Sequence, residues 1–68
     1  MEKNWLKIYT HVDENRLHIV ESVLKDYQIQ VVRLNKKDSS YLNFGEIELY
    51  VHENDFEKAL EIIIKNDL

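Results

Sequence analysis

One segment of this 68-residue chain limits its fold more than any other. The range 46–51 alternates strictly, with apolar Ile47, Leu49 and Val51 separated by glutamates and a tyrosine. Successive side chains of a β-strand point to opposite faces, so the pattern predicts a strand with one buried and one solvated face. Such a strand belongs to a sheet that other elements cover on one side only.

Two amphipathic helices are predicted to supply that cover. Asp13 is expected to cap the first helix, and apolar residues then follow at helical spacing: Leu17, Val20, Val23, Leu24 and Tyr27. The second helix is predicted to begin at Asn54, because its spacing to Glu57 matches a capping box. Its inward residues are expected to be Phe56, Ala59, Leu60 and Ile63, flanked by Ile62 and Ile64.

Two further segments have the composition of strands. The range 5–11 is aromatic and β-branched, and simple alternation places one set of side chains away from the helices: Trp5, Lys7, Tyr9 and His11. The range 29–34 is the second strand. Its register stays open, because either Ile29 and Val31 or Val32 and Leu34 could face the core.

The resulting order β-α-β-β-α predicts an α+β, ferredoxin-like (PII-like) two-layer sandwich with three strands and two helices on one face. We expect the first and third strands to lie side by side and parallel, with the second strand antiparallel to the third. The length leaves room for a single domain over residues 1–68.

Composition and motifs exclude several functions. Without cysteine there is no disulfide framework and no thiolate metal site. Thirteen acidic against nine basic residues give a net charge of −4, which opposes binding to nucleic acid or to an anionic membrane. The chain has no apolar run of membrane-spanning length, so we expect a cytoplasmic protein. It contains no nucleophile elbow, P-loop or HExxH motif, and we therefore expect neither an enzyme nor a cofactor.

Several segments resemble a small bacterial family of unknown function described as putative prokaryotic signal-transducing proteins. The matching stretches are WLKIYT at 5–10, YQIQVV at 27–32, NKKDSSY at 35–41, FGEIELYV at 44–51 and DFEKALEI at 55–62. The chain is similar to the members from Bacteroidetes. The resemblance implies a ferredoxin-like fold, similar to that of the PII nitrogen-signalling proteins, and a role in signal transduction.

Three aromatic residues are predicted to share the sheet face that the helices leave uncovered. Trp5, Tyr9 and Tyr50 would lie there with Lys7 and Glu48 between them. Monomers usually avoid such a patch, which indicates an interaction face anchored by aromatic side chains. The alternative is that the rings pair across strands and only stabilise the sheet. The free edge of the first strand is a second reason to expect a homodimer, besides an unknown protein partner.

The long connection between the second and third strands is another candidate. An anion or peptide site there would use Lys36, Lys37, Asp38, Ser39 and Tyr41. The alternative is a structured turn whose apolar residues tuck against the helices. In PII proteins the corresponding connection carries a regulatory loop with a modifiable tyrosine and nucleotide contacts. This chain has Tyr41 there, but no glycine-rich phosphate cradle.

His11 and His52 end the first and third strands. If those strands are parallel, the imidazoles approach each other near Asp13 and Glu53, and Zn²⁺ or another divalent ion would suit them. The alternative is a pair of surface histidines. The leading interpretation is a non-enzymatic regulatory or adaptor module that binds proteins. The alternative function is a small-molecule or metal sensor resembling PII, with its site at a cleft between subunits.

Overall fold

The chain folds in the predicted order of elements. The computed structural model describes residues 4–35 and 46–68. Their elements are β1 (Trp5–His11), α1 (Glu14–Asp26), β2 (Val31–Asn35), β3 (Ile47–His52), a 3-10 turn (Glu53–Asp55) and α2 (Phe56–Lys65). The prediction of an α+β, ferredoxin-like architecture is confirmed. None of the helices in these two ranges is long and apolar enough to span a membrane.

The three strands are arranged in the order β1-β3-β2, and β3 is antiparallel to both neighbours. The expected parallel pairing of β1 with β3 is therefore wrong. The crossover through α1 joins β1 to β2, and these two strands run in the same direction with β3 between them. The helix thus connects a parallel pair, as such crossovers do, but the pair is β1 and β2.

A β-bulge interrupts β1. Lys7 opposes Tyr50 and Tyr9 opposes Leu49, which leaves Ile8 as the extra residue. Ile8 and Tyr9 both pack against the hydrophobic core. Beyond the bulge, each side chain of β1 lies on the face opposite to the one that simple alternation predicts. The prediction is therefore wrong for Tyr9 and His11, which lie on the helix side.

The core lies between the sheet and the two helices. Each layer contributes fully or almost fully buried apolar side chains: Leu17, Val20 and Leu24 from α1, Ile47, Leu49 and Val51 from β3, and Ala59, Ile62 and Ile63 from α2. Ile29 is buried beside them and Val31 packs on the same cluster. Ile29 lies just before β2 and Val31 lies within it, and both face the core, which settles the register of β2.

The first helix begins as predicted. The Asp13 carboxylate accepts a hydrogen bond from the Asn15 amide at 2.9 Å and caps α1. Three members of the predicted apolar stripe are buried and Val23 packs against the core. Tyr27 instead follows the last helical residue and is 41% exposed.

The second helix begins differently from the prediction. Asn54 lies inside the 3-10 turn, and α2 starts only at Phe56. Three consecutive isoleucines, Ile62 to Ile64, span about 200° of the helix circumference, which is more than one sheet can cover. Ile62 and Ile63 are buried, while Leu60 and Ile64 are 40% and 71% exposed. The expected inward position of Leu60 is therefore wrong.

Candidate interaction surface on the open face of the sheet

We call the side of the sheet opposite the helices the open face. Strand register assigns eight residues to it: Trp5, Lys7 and Thr10 from β1, Val32 and Leu34 from β2, and Glu48, Tyr50 and His52 from β3. The helices of the described ranges pack on the other side, where the core lies. Trp5, Val32, Leu34 and Tyr50 are each half-buried, so a row of large apolar side chains crosses all three strands.

A polar network lies in the middle of the open face. The Tyr50 hydroxyl donates a hydrogen bond to Glu48 Oε1 at 2.8 Å, and Lys7 Nζ lies 3.5 Å from Glu48 Oε2. Glu48 is only 8% exposed. Burying a carboxylate is costly unless it is paired and hydrogen-bonded, and these contacts satisfy that requirement. The hydrogen bond to Glu48, together with burial and the carboxylate charge, raises the pKa of Tyr50.

Trp5 and His52 meet at one end of this face. Their ring centroids are 5.6 Å apart and the ring planes are inclined by 84°, an edge-to-face contact. His52 Nδ1 also accepts a hydrogen bond from the Asn54 amide at 3.1 Å, which caps the 3-10 turn. The imidazole is thus held from two sides, and it supports the indole from one edge.

Tyr9 lies on the helix side of the sheet and not with Trp5 and Tyr50. It opposes the buried Leu49, its hydroxyl donates to the Leu68 carbonyl oxygen at 3.2 Å, and Arg16 Nε donates to that hydroxyl at 3.1 Å. The bulge at Ile8 is the physical reason, because one extra residue moves every later side chain of the strand to the opposite face of the sheet. The predicted cluster of three aromatics is therefore reduced to two.

Sequence reasoning missed two apolar members of the open face, Val32 and Leu34, and also Thr10, which lies beyond the bulge. The open register of β2 concealed the two apolar residues, since four apolar residues in the range 29–34 fit either face. Arg33, the one charged residue of that range, held a signal. Arg33 pairs with Glu21 of α1 at 2.9 Å, so its neighbours in β2 must point the other way.

His11 and His52 do not meet. Antiparallel pairing places His52 opposite Trp5 and His11 opposite Ile47, so the histidines lie at opposite ends of the sheet, roughly 17 Å apart. The proposed metal pair, which depended on parallel strands, is therefore wrong. His11 stacks on Tyr9, and its Nδ1 accepts from the Asp13 amide at 2.9 Å. Within residues 4–35 and 46–68, no three His, Asp or Glu side chains are grouped to hold a metal ion.

The predicted loop site lies outside the described residues. It comprised Lys36, Lys37, Asp38, Ser39 and Tyr41, all within the range 36–45. Anion or peptide binding by this loop, and the sensor function that depends on it, stay predictions.

Comparison with known proteins identifies a family. A family model, DUF2007, described as "Putative prokaryotic signal transducing protein", matches residues 5–67. That range covers nearly the whole chain, so the chain belongs to this family. No curated protein and no solved structure matches it.

Proposed function

We propose that this member of the prokaryotic signal-transducing family is a non-enzymatic regulatory module of the cytoplasm that binds a protein partner on the open face of its sheet. The family description supports a role in signalling. The observation that carries the proposal is the row of half-buried Trp5, Val32, Leu34 and Tyr50 on a face that neither described helix covers. Tryptophan and tyrosine are the side chains that most often anchor protein interfaces.

The polar centre of the face supports a specific partner rather than unspecific adhesion. The hydrogen bond from the Tyr50 hydroxyl to Glu48 fixes the orientation of the phenol ring before binding. Less side-chain freedom is therefore lost when a partner binds. The Lys7 side chain is 51% exposed, so its ammonium group, which pairs with Glu48 at 3.5 Å, is also accessible to a partner. A partner with an apolar centre and a carboxylate above Lys7 would complement this surface.

The first test is affinity capture from an extract of the source prokaryote with three forms of the chain. Trp5→Ser and Tyr50→Lys alter the open face, whereas Ile19→Ser removes an apolar side chain that is 51% exposed on α1. We expect wild type and Ile19→Ser to retain the same protein and both open-face variants to lose it. Circular dichroism establishes that each variant is folded.

The captured protein is then purified and titrated directly. Trp5 is the single tryptophan of the chain. With a partner that contains no tryptophan, a change in fluorescence therefore reports contact with the open face. We expect a saturable change in emission, and a Lys7→Glu variant that binds at least about tenfold more weakly. Isothermal titration calorimetry, which does not depend on Trp5, compares the variants, and binding that is equal for wild type, Trp5→Ser and Tyr50→Lys would contradict the proposal.

A further inference from the structure

Helix α2 has an apolar stripe that points away from the core. Leu60 and Ile64 are one helical turn apart and are 40% and 71% exposed. They line a shallow groove of about 430 Å³ together with Glu57, Glu61 and Lys65. Solvent exposure of two large aliphatic side chains in succession is unfavourable, so the stripe calls for a cover.

The charges beside the stripe are not paired with one another. Glu61 and Lys65 have the spacing of a favourable ion pair along a helix, and the equivalent pair on α1, Glu21 and Lys25, is closed at 3.2 Å. The ion pairs found within residues 4–35 and 46–68 include none of Glu57, Glu61 and Lys65. Two acidic groups and one basic group on α2 are thus available to a neighbour.

We propose that a second copy of this chain covers the stripe, with the two α2 helices packed antiparallel about a two-fold axis at the level of Ile62. A rise of about 1.5 Å per residue then sets Leu60 directly opposite Ile64 of the second copy. Lys65 of the second copy falls about 3 Å along the axis from both Glu57 and Glu61.

The charges fall on the correct side for this contact. At about 100° per residue, Glu57, Glu61 and Lys65 all lie on one flank of the line through Leu60 and Ile64. A two-fold axis across an antiparallel pair brings the same flank of both helices together. Each copy therefore offers two carboxylates to one ammonium group of the other, and the two Lys65 side chains flank the Glu61 pair beside the axis.

Charge complementarity selects a second copy over an unrelated partner, since the acidic and basic groups that match are on the same helix. Edge pairing of β1, the contact expected from the sequence, is disfavoured because the bulge at Ile8 kinks that strand. One ten-residue helix provides less than the ~1,000 Å² of a permanent interface, so the dimer is weak and depends on protein concentration.

The test is sedimentation equilibrium over a concentration series reaching about 1 mM, where weak interfaces are populated. We expect wild type to dimerise, and Ile64→Ser and Lys65→Glu each to weaken the dimer about tenfold or more. One matched control leaves it unchanged. Ile19→Ser removes a similarly exposed apolar group from α1.

A charge exchange separates this contact from general effects on solubility. Lys65→Glu makes the three charged residues of the groove all acidic, and the double variant Glu57→Lys/Glu61→Lys makes them all basic. Neither form is expected to dimerise alone, whereas an equimolar mixture is expected to form a heterodimer. A monomeric wild type throughout the series, or a dimer indifferent to these changes, would overturn the proposal. Trp5→Ser leaves the α2 dimer intact, so failure of this contact and failure of the open-face function are distinguished.

Discussion

The two faces of the sheet are built from the same strands under opposite constraints. On the helix side, β3 contributes Ile47, Leu49 and Val51, each with no exposed surface. On the open face, the alternate residues Glu48 and Tyr50 are joined by a hydrogen bond, and Glu48 also forms an ion pair with Lys7. Close packing dictates the identity of residues on the first side, whereas directional polar contacts orient those on the second.

The comparison shows which face can change without loss of the fold. The helix side derives its stability from burial, which scales with the apolar area removed from water. The open face contributes mainly cross-strand pairs, each worth less than about 1 kcal/mol. Evolution can therefore alter recognition on the open face while the core stays constant.

The adjacent residues Leu49 and Tyr50 give the sharpest test. Leu49→Ala leaves a cavity in the core and is expected to lower the free energy of unfolding by about 2–5 kcal/mol. Tyr50→Ala is expected to cost about 1 kcal/mol or less. Urea denaturation followed by circular dichroism measures both.

Because a domain of 68 residues has little stability to lose, Leu49→Ala alone could leave nothing to titrate. Ile47→Val is the milder core variant, and we expect it to cost about 0.5–1.5 kcal/mol. Equal losses for Leu49→Ala and Tyr50→Ala, or no loss at all for Ile47→Val, would break the distinction between the faces.

His52 tests whether the open face also supports the start of the second helical segment. His52→Ala removes the acceptor for the Asn54 amide and should cost about 1 kcal/mol. His52→Asn restores a side-chain acceptor that caps well, but not the ring that contacts Trp5. Recovery of the unfolding free energy by asparagine assigns the loss to the cap, and failure to recover assigns it to the ring contact.

Glu21 provides the corresponding test on the helix side. Burial alone would raise its pKa, but hydrogen bonds from Lys25 and Arg33 outweigh burial and hold the pKa of Glu21 below its ordinary value. A lowered pKa means that the carboxylate stabilises the fold above the unfolded value of 4.5 and that this contribution disappears as the pH falls through the folded value.

Glu21→Gln should therefore cost about 1 kcal/mol or less at neutral pH. The difference from wild type should vanish in acid. Denaturation at several pH values measures it, and a difference that grew on acidification would contradict the assignment.

The smallest effect concerns Tyr50. Its raised pKa predicts that this phenol ionises at a higher pH than an ordinary tyrosine. Ultraviolet absorbance of tyrosinate, compared between wild type and Tyr50→Phe, isolates its titration. Glu48→Gln removes the charge and should lower the pKa of Tyr50 again. An unchanged titration in that variant would show that Glu48 does not orient the ring.

Local patterns in the sequence predicted the elements well, and the contacts between them poorly. Alternation at 46–51 located β3, and Asp13 marked the start of α1, because both depend on neighbours in the chain. No local sequence pattern predicts the bulge, since Lys7, Ile8 and Tyr9 are typical of an ordinary strand. The bulge forms because both Ile8 and Tyr9 pack against the core. That packing depends on how the sheet and the helices assemble.

The same limit explains the histidines and the missed residues of the open face. Whether His11 approaches His52 depends on strand direction, which no local pattern reports. Val32 and Leu34 are open-face residues because Val31 packs on the core and Arg33 pairs with α1, both across the layers of the fold. Pairwise placement across the sheet is decided by long-range packing, and a one-residue error reverses the chemistry of a whole face.

The strand order has a consequence for how the chain acquires its shape. Among the strands of the described ranges, β1 and β2 each pair only with β3, and β3 ends at His52. During synthesis, the first two strands and α1 emerge with no partner for either strand. The contacts that join β1 to β3 link residues about forty positions apart, and loops of that length slow folding. β1 therefore acquires its partner in the sheet only after residues 47–52 have been synthesised.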